Sequence, residues 1–130
     1  MSKIKIKSDL REISLLIIED GEDIINIMDR TFKMLVKEIF LAKDGEVGLQ
    51  EYQKHTPDVI LTDLRMPNLN GIEFIKEVRK TNKDIPIIMI TAYEYDLKEE
   101  DKTYIDAIFP KPINFMKLIQ TIDECAQKIK

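Results

Sequence analysis

The sequence is short of cysteine and histidine, carries no excess of positive charge and has no long apolar run. Each shortage closes off a class of function. One cysteine, Cys125, leaves no partner for an internal disulfide, which fits a reducing compartment. One histidine, His55, has no Cys or His companion with which to hold zinc. It reads as a solvated residue in the last turn of a helix. The net charge of −4 gives no basic footprint for direct nucleic-acid binding. The longest apolar runs, 14–18 and 85–90, are far too short to cross a bilayer. Residues 1–12 lack the apolar stretch of a signal peptide. These features predict a cytoplasmic chain with no membrane association.

What is present is ordinary for a soluble domain: 44% hydrophobic and 34% charged residues in a length of 130, enough for one core. Residues 1–12 (MSKIKIKSDLRE) read as a polar lead-in, with a short strand at the Lys3–Lys7 alternation as the other reading. Residues 13–130 read as the domain. There is no internal repeat and no low-complexity linker.

From residue 14 on, two textures alternate. Apolar runs at 14–19, 38–42, 58–62, 86–91 and 105–109 predict buried parallel strands. Segments of helical spacing lie between and after them. Residues 22–36 put Ile24, Ile27, Met28, Phe32, Leu35 and Val36 near one face. Residues 45–54 offer Val47, Leu49 and Tyr52, with Gly48 weakening the helix. Residues 72–80 carry Ile72, Ile75 and Val78, and residues 114–129 carry Phe115, Leu118, Ile119, Ile122 and Cys125. Asn70 and Asn114 stand where N-caps or turns are expected. Strand then helix, five times, predicts an α/β fold with a parallel sheet and helices on both faces. Its site should form outside the C-terminal strand ends.

Glu19 and Asp20 follow the first predicted strand and Asp63 the third. Thr91 ends the fourth, and the fifth runs into Lys111–Pro112. Two carboxylates about 4 Å apart repel by roughly 4 kcal/mol at an effective dielectric near 20. Three together therefore call for a cation or raised pKa values. Mg²⁺ suits such a set, since it takes one or two carboxylates and keeps waters for phosphate. A carboxylate can also act as nucleophile and form an acyl phosphate. Lys111, the Thr91 hydroxyl and backbone N–H groups suit the phosphoryl oxygens. Each residue alone has an ordinary use: Asp20 as a cap, Asp63 as a loop acid, Thr91 as a strand residue, Lys111 as a solvated base. Their convergence at one sheet edge points to phosphoryl acceptance on Asp63.

The stretches LLIIED (15–20), DVILTDLRMPNLNG (58–71), ITA (90–92) and KP (111–112) resemble the receiver domain of two-component response regulators, over roughly residues 13–128. The resemblance implies a doubly wound, flavodoxin-like three-layer sandwich with strand order 2-1-3-4-5. It implies Asp63 as phosphoacceptor, with slow self-dephosphorylation rather than turnover. Asp20, Asp63 and the Arg65 backbone carbonyl would ligate Mg²⁺, with Glu19 helping through water. Thr91 and Lys111 would read the phosphoryl group, and the Lys111–Pro112 bond would be cis. The donor would be a histidine kinase or phosphotransfer protein. The face of the fourth helix, fifth strand and fifth helix would carry output to a partner or a second copy of the chain.

Departures from the family pattern are specific. Ile108 stands where an aromatic often serves as a switch, and Phe109 beside it should face the other way. The segment YEYDLKEEDKTY (93–104) is charged and poor in apolar stripe, which predicts a short or distorted fourth helix. The run Glu99–Asp101 reads as a solvated face. Pro110 suits an edge strand. Met66 reads as packing. Arg65 and Tyr93, two residues beyond Asp63 and Thr91, occupy positions that in the family flank the path of attacking water, and are expected to tune the acyl phosphate's lifetime.

A second reading is a Mg²⁺-dependent phosphohydrolase with an aspartyl-phosphate intermediate. Haloacid-dehalogenase-type phosphatases carry a second Asp two residues after the nucleophile, where this chain has Arg65. No output domain follows within the sequence. Stand-alone action and a place in a longer regulator or hybrid kinase both stay open.

Overall fold

A computed structural model describes residues 9–129. The apolar runs form β1 (Ser14–Ile18), β2 (Glu38–Ala42), β3 (Val59–Thr62), β4 (Ile87–Thr91) and β5 (Ala107–Pro110). The helices are α1 (Glu22–Phe32), α2 (Gly45–His55), α3 (Gly71–Arg79), α4 (Glu99–Lys102) and α5 (Phe115–Ile129). All strands pair in parallel, in the order β2-β1-β3-β4-β5. The central β1, β3 and β4 are covered on both faces, which is why they read as unbroken Ile/Leu/Val runs.

Side-chain alternation builds two cores. Leu15, Ile17, Val59, Leu61, Ile88 and Ile90 face one way, against Ile25, Met28 and Phe32 of α1 and Leu118, Ile122 and Cys125 of α5. Leu16, Ile18, Ile60, Ile87 and Met89 face the other, against Phe74, Ile75 and Val78 of α3. Leu49 and Tyr52 of α2 cover the same side at partial burial. Ile108 packs on the α2–α3 side and Phe109 on the α1–α5 side. The strand register has not slipped to bring Phe109 into the place of Ile108.

Helix details differ from the sequence reading. The stripe of α1 is rotated: Ile25 is buried, while Ile27 is 49% exposed. That helix stops at Phe32, because the Leu35 and Val36 N–H groups both turn back to the Phe32 carbonyl at 2.9 and 3.0 Å. Gly48 does more than weaken α2. A Cβ there would press on the Ile18 side chain, so the missing side chain lets the helix lie close to β1. Val47 of the same helix is exposed. Phe74, absent from the expected stripe of α3, is fully buried.

Asn70 caps α3 in a capping box with Glu73, at 2.9 and 3.0 Å. Asn114 accepts from Lys117 N–H at the start of α5. The fourth helix is short, as its charge predicts. Asp101 is buried rather than solvated, and its carboxylate accepts the Lys98 N–H at 3.0 Å.

The Lys3–Lys7 alternation lies outside the described residues. Leu10–Glu12, at the end of the expected lead-in, form a 3-10 turn capped by Asp9, and Leu10 is buried in the α1–α5 core. His55 is not simply solvated. Its ring stacks on Phe40 at 4.0 Å, and Nε2 lies 3.6 Å from Glu51. Among the described residues no helix is long and apolar enough to cross a membrane.

Gly71 opens α3 directly beneath the loop from Asp63. Its N–H donates to the Leu64 carbonyl at 2.8 Å. A Cβ at this position would fall well inside contact with the Asp63 carbonyl oxygen. Gly71→Ala is therefore expected to destabilise the domain by about 1–3 kcal/mol, measured by urea unfolding.

Candidate functional site

The parallel ladder runs one residue past the strands and sets the site. Glu19 N–H donates to the Ala42 carbonyl at 3.0 Å, Asp63 N–H to Ile18 at 3.0 Å and Lys111 N–H to Thr91 at 3.3 Å. Three charged residues that follow β1, β3 and β5 are thereby fixed at the C-terminal sheet edge. Asp20 follows Glu19 into the turn before α1 and is exposed. The β3–α3 loop is held by Gly45 N–H on the Leu69 carbonyl at 3.1 Å and by Asn68 on Asp44 at 3.0 Å. Asn68 has φ 69°, a left-handed conformation that asparagine tolerates.

The Lys111 ammonium donates to Glu19 Oε1 and Asp63 Oδ2, both at 2.8 Å. Glu19 Oε2 accepts from Gly21 N–H at 2.8 Å, and Asp63 Oδ1 from Leu64 N–H at 2.6 Å. Glu19 and Asp63 are 4% and 7% exposed. Burial pushes the Glu19 carboxyl above its usual range. Bonds from Lys111 and Gly21 oppose that push, and the Asp63 charge adds to it. Burial pulls the Lys111 ammonium down, but the bonds and charges of Asp63 and Glu19 outweigh this and leave its pKa raised. Lys111 is followed by a cis bond to Pro112.

Carboxylate oxygens of Glu19, Asp20 and Asp63 lie within 4.8 Å of one another. The donor set is all oxygen and all anionic, the chemistry of a hard divalent cation. The residues present fit one, and the bridging ammonium already answers part of the same charge demand. Thr91 is buried at the end of β4, and its hydroxyl accepts the Tyr93 N–H at 3.0 Å.

One feature of the site was not visible in the sequence. Arg65 reaches from the β3–α3 loop to Asp96 in the 3-10 turn Glu94–Asp96, with Nε and Nη2 at 3.0 and 2.6 Å from Oδ2. Its guanidinium lies 3.5 Å from the centre of the Tyr93 ring. The bond to Asp96 chiefly raises the Arg65 pKa. Asp96 lies in a charged run with no motif, 31 residues from Arg65, and carries no local signal of its role.

The profile of the response regulator receiver domain matches residues 15–123. The chain belongs to the response regulator receiver family. It is 37% identical over 92 residues to a probable transcriptional regulator, ycf27, of Cyanidium caldarium, an alignment covering 71% of this chain and 36% of that one. Among solved structures it resembles the receiver domain of a Francisella response regulator (TM-score 0.83, 27% identity, 92% of this chain and 100% of that one). It also resembles the response regulator TrrA of Thermotoga maritima, solved with Mg²⁺–BeF (TM-score 0.80, 26% identity, 87% of this chain and 98% of that one). The chain spans about half or less of the length of the curated relatives it matches. This receiver thus carries an acidic pocket at the sheet edge, and its family works in two-component signalling with histidine kinases.

The folded receiver holds the Lys111 proton more tightly than the unfolded chain does. The resulting stabilisation is whole below about pH 10.4, the unfolded lysine value, and is lost as the pH rises through the higher folded value. Urea unfolding across the alkaline range should show this decline in the wild type and a shallower one in Lys111→Met.

Proposed function

We propose that this receiver accepts a phosphoryl group on Asp63 from a phosphohistidine of a histidine kinase or phosphotransfer protein. The observation that carries the reading is the Lys111 ammonium 2.8 Å from both Glu19 and Asp63. It is a positive charge already in contact with the acceptor. An Asp63 oxygen attacks phosphorus in line. The new O–P bond forms as the P–N bond breaks, and the electron pair returns to the imidazole nitrogen. Lys111 then pairs with one phosphoryl oxygen, and the Thr91 hydroxyl turns to another. Asp20, Asp63 and the Arg65 backbone carbonyl would hold Mg²⁺ directly and Glu19 through water. When bound, the ion supplies charge neutralisation at the phosphoryl oxygens. A groove of about 240 Å³ lined by Ile24, Ile27, Ile113 and Phe115 shares Lys111 with the acceptor site, which offers the phosphodonor an apolar surface beside that site.

On this reading the chain works in the cytoplasm. Its switched surface is the face of α4, β5 and α5, where an output partner or a second copy of the chain would pair. Ile108 replaces the aromatic relay on that face, so the movement of Thr91 reaches the surface by another path. A turnover phosphohydrolase is less well supported. The residue two beyond Asp63 is Arg65, whose guanidinium is engaged by Asp96 and offers no general acid.

Incubation with acetyl phosphate and Mg²⁺ should give one phosphoryl adduct by intact mass, absent in Asp63→Asn. An adduct that survives that substitution, or none with any donor, would count against the reading. Arg65 and Tyr93 set the adduct's lifetime. Arg65→Ala and Tyr93→Ala should each change the rate of dephosphorylation, and unchanged rates in both would remove them from that role.

A further inference from the structure

An ion pair of Arg65 with Asp96 ties the loop after β3 to the segment after β4. Arg65 leaves the loop that carries Asp63. Tyr93 and Asp96 leave the strand that carries Thr91. The 3-10 turn holding Asp96 is itself fixed, with Asp96 N–H on the Tyr93 carbonyl at 2.9 Å and Leu97 N–H on Glu94 at 3.0 Å. Leu97 is buried in the α2–α3 core, which anchors the turn. Two donors of one guanidinium converge on a single Asp96 oxygen, a charge-assisted geometry that restricts the planar group. The same group then lies over the Tyr93 ring, whose backbone N–H is held by the Thr91 hydroxyl. An open cleft of about 420 Å³ runs beside this assembly. Arg65 and Asp96 line it, and it reaches Leu64, the neighbour of the acceptor.

We infer that Asp96 is a positioning residue for the lifetime of the acyl phosphate. By holding Arg65 over Tyr93, it closes the gap between the β3 and β4 loops and keeps water from the phosphorus. The inference rests on the acceptor role of Asp63. Hydrolysis breaks the bond between phosphorus and the Asp63 oxygen. Water supplies the new P–O bond, its hydrogens leave on the phosphate, and the Asp63 carboxylate is restored. With Arg65 released, the guanidinium swings into solvent and the gap opens.

The test uses the full chain phosphorylated with acetyl phosphate and Mg²⁺, freed of donor, with adduct decay followed by intact mass. Asp96→Asn should shorten the half-life roughly two- to fivefold, the scale of an exposed ion pair. Asp96→Glu should restore most of it. In an Arg65→Ala background, Asp96→Asn should have no further effect. Added salt should shorten the wild-type half-life but not that of Asp96→Asn. An equal or longer half-life in Asp96→Asn overturns the inference, as does an effect that persists undiminished without Arg65. Absence of any adduct on the wild-type chain would overturn the acceptor reading and this inference with it. An adduct with a lifetime indifferent to Asp96 overturns the inference alone.

Discussion

Two buried carboxylates and one ammonium meet at the C-terminal edge of the sheet, and the positions of the surrounding loops follow from keeping them together. Glu19 and Asp63 are nearly inaccessible, so their charges cannot be left to solvent. Lys111 answers them from the end of β5, past β4 to Asp63 and past β4 and β3 to Glu19. The backbone makes that reach reproducible, since each of the three residues is fixed by one ladder bond beyond its strand. The pair of acids is thus held in a state that favours positive charge, and a side chain supplies it.

The strands were legible because central parallel strands must be apolar on both faces, and their Ile/Leu runs are too short for a buried helix. Glu19, Asp20, Asp63, Thr91 and Lys111 were legible because the fold delivers strand ends to one edge. Helix faces were harder to read. In α1, Ile24, Ile25 and Ile27 are chemically equal candidates, and only packing against β1 and α5 selects Ile25. Gly48 looked like a flaw in α2 and is a fit to Ile18. Leu10 sits in a polar context, yet a single buried side chain binds the 3-10 turn to the core. Asp96 was illegible for a different reason: its partner is remote in sequence, and a carboxylate in a charged run resembles any solvated acid.

The separation of Ile108 from Phe109 bears on how a signal leaves the site. Alternation commits the two residues to opposite cores, so the ring of Phe109 cannot take the vacated aromatic position without breaking the β4–β5 register. Besides apolar packing of Leu64 with Leu97 in one core, the β3–α3 loop meets the segment before α4 through polar contacts: a guanidinium, a carboxylate and a tyrosine face. Polar contacts at partial exposure are weaker and more sensitive to salt than a buried ring. They also release without leaving a cavity.

The strand order has a further consequence at the margins of the sheet. Its edges are β2 and β5, five and four residues long. Pro110 denies β5 a donor at its last position, and β2 begins at exposed Glu38 with Lys37 beside it. Short, charged or proline-bearing edges are poor templates for another chain. A sheet whose three inner strands are among the most apolar segments of the sequence is thereby kept from growing by strand addition.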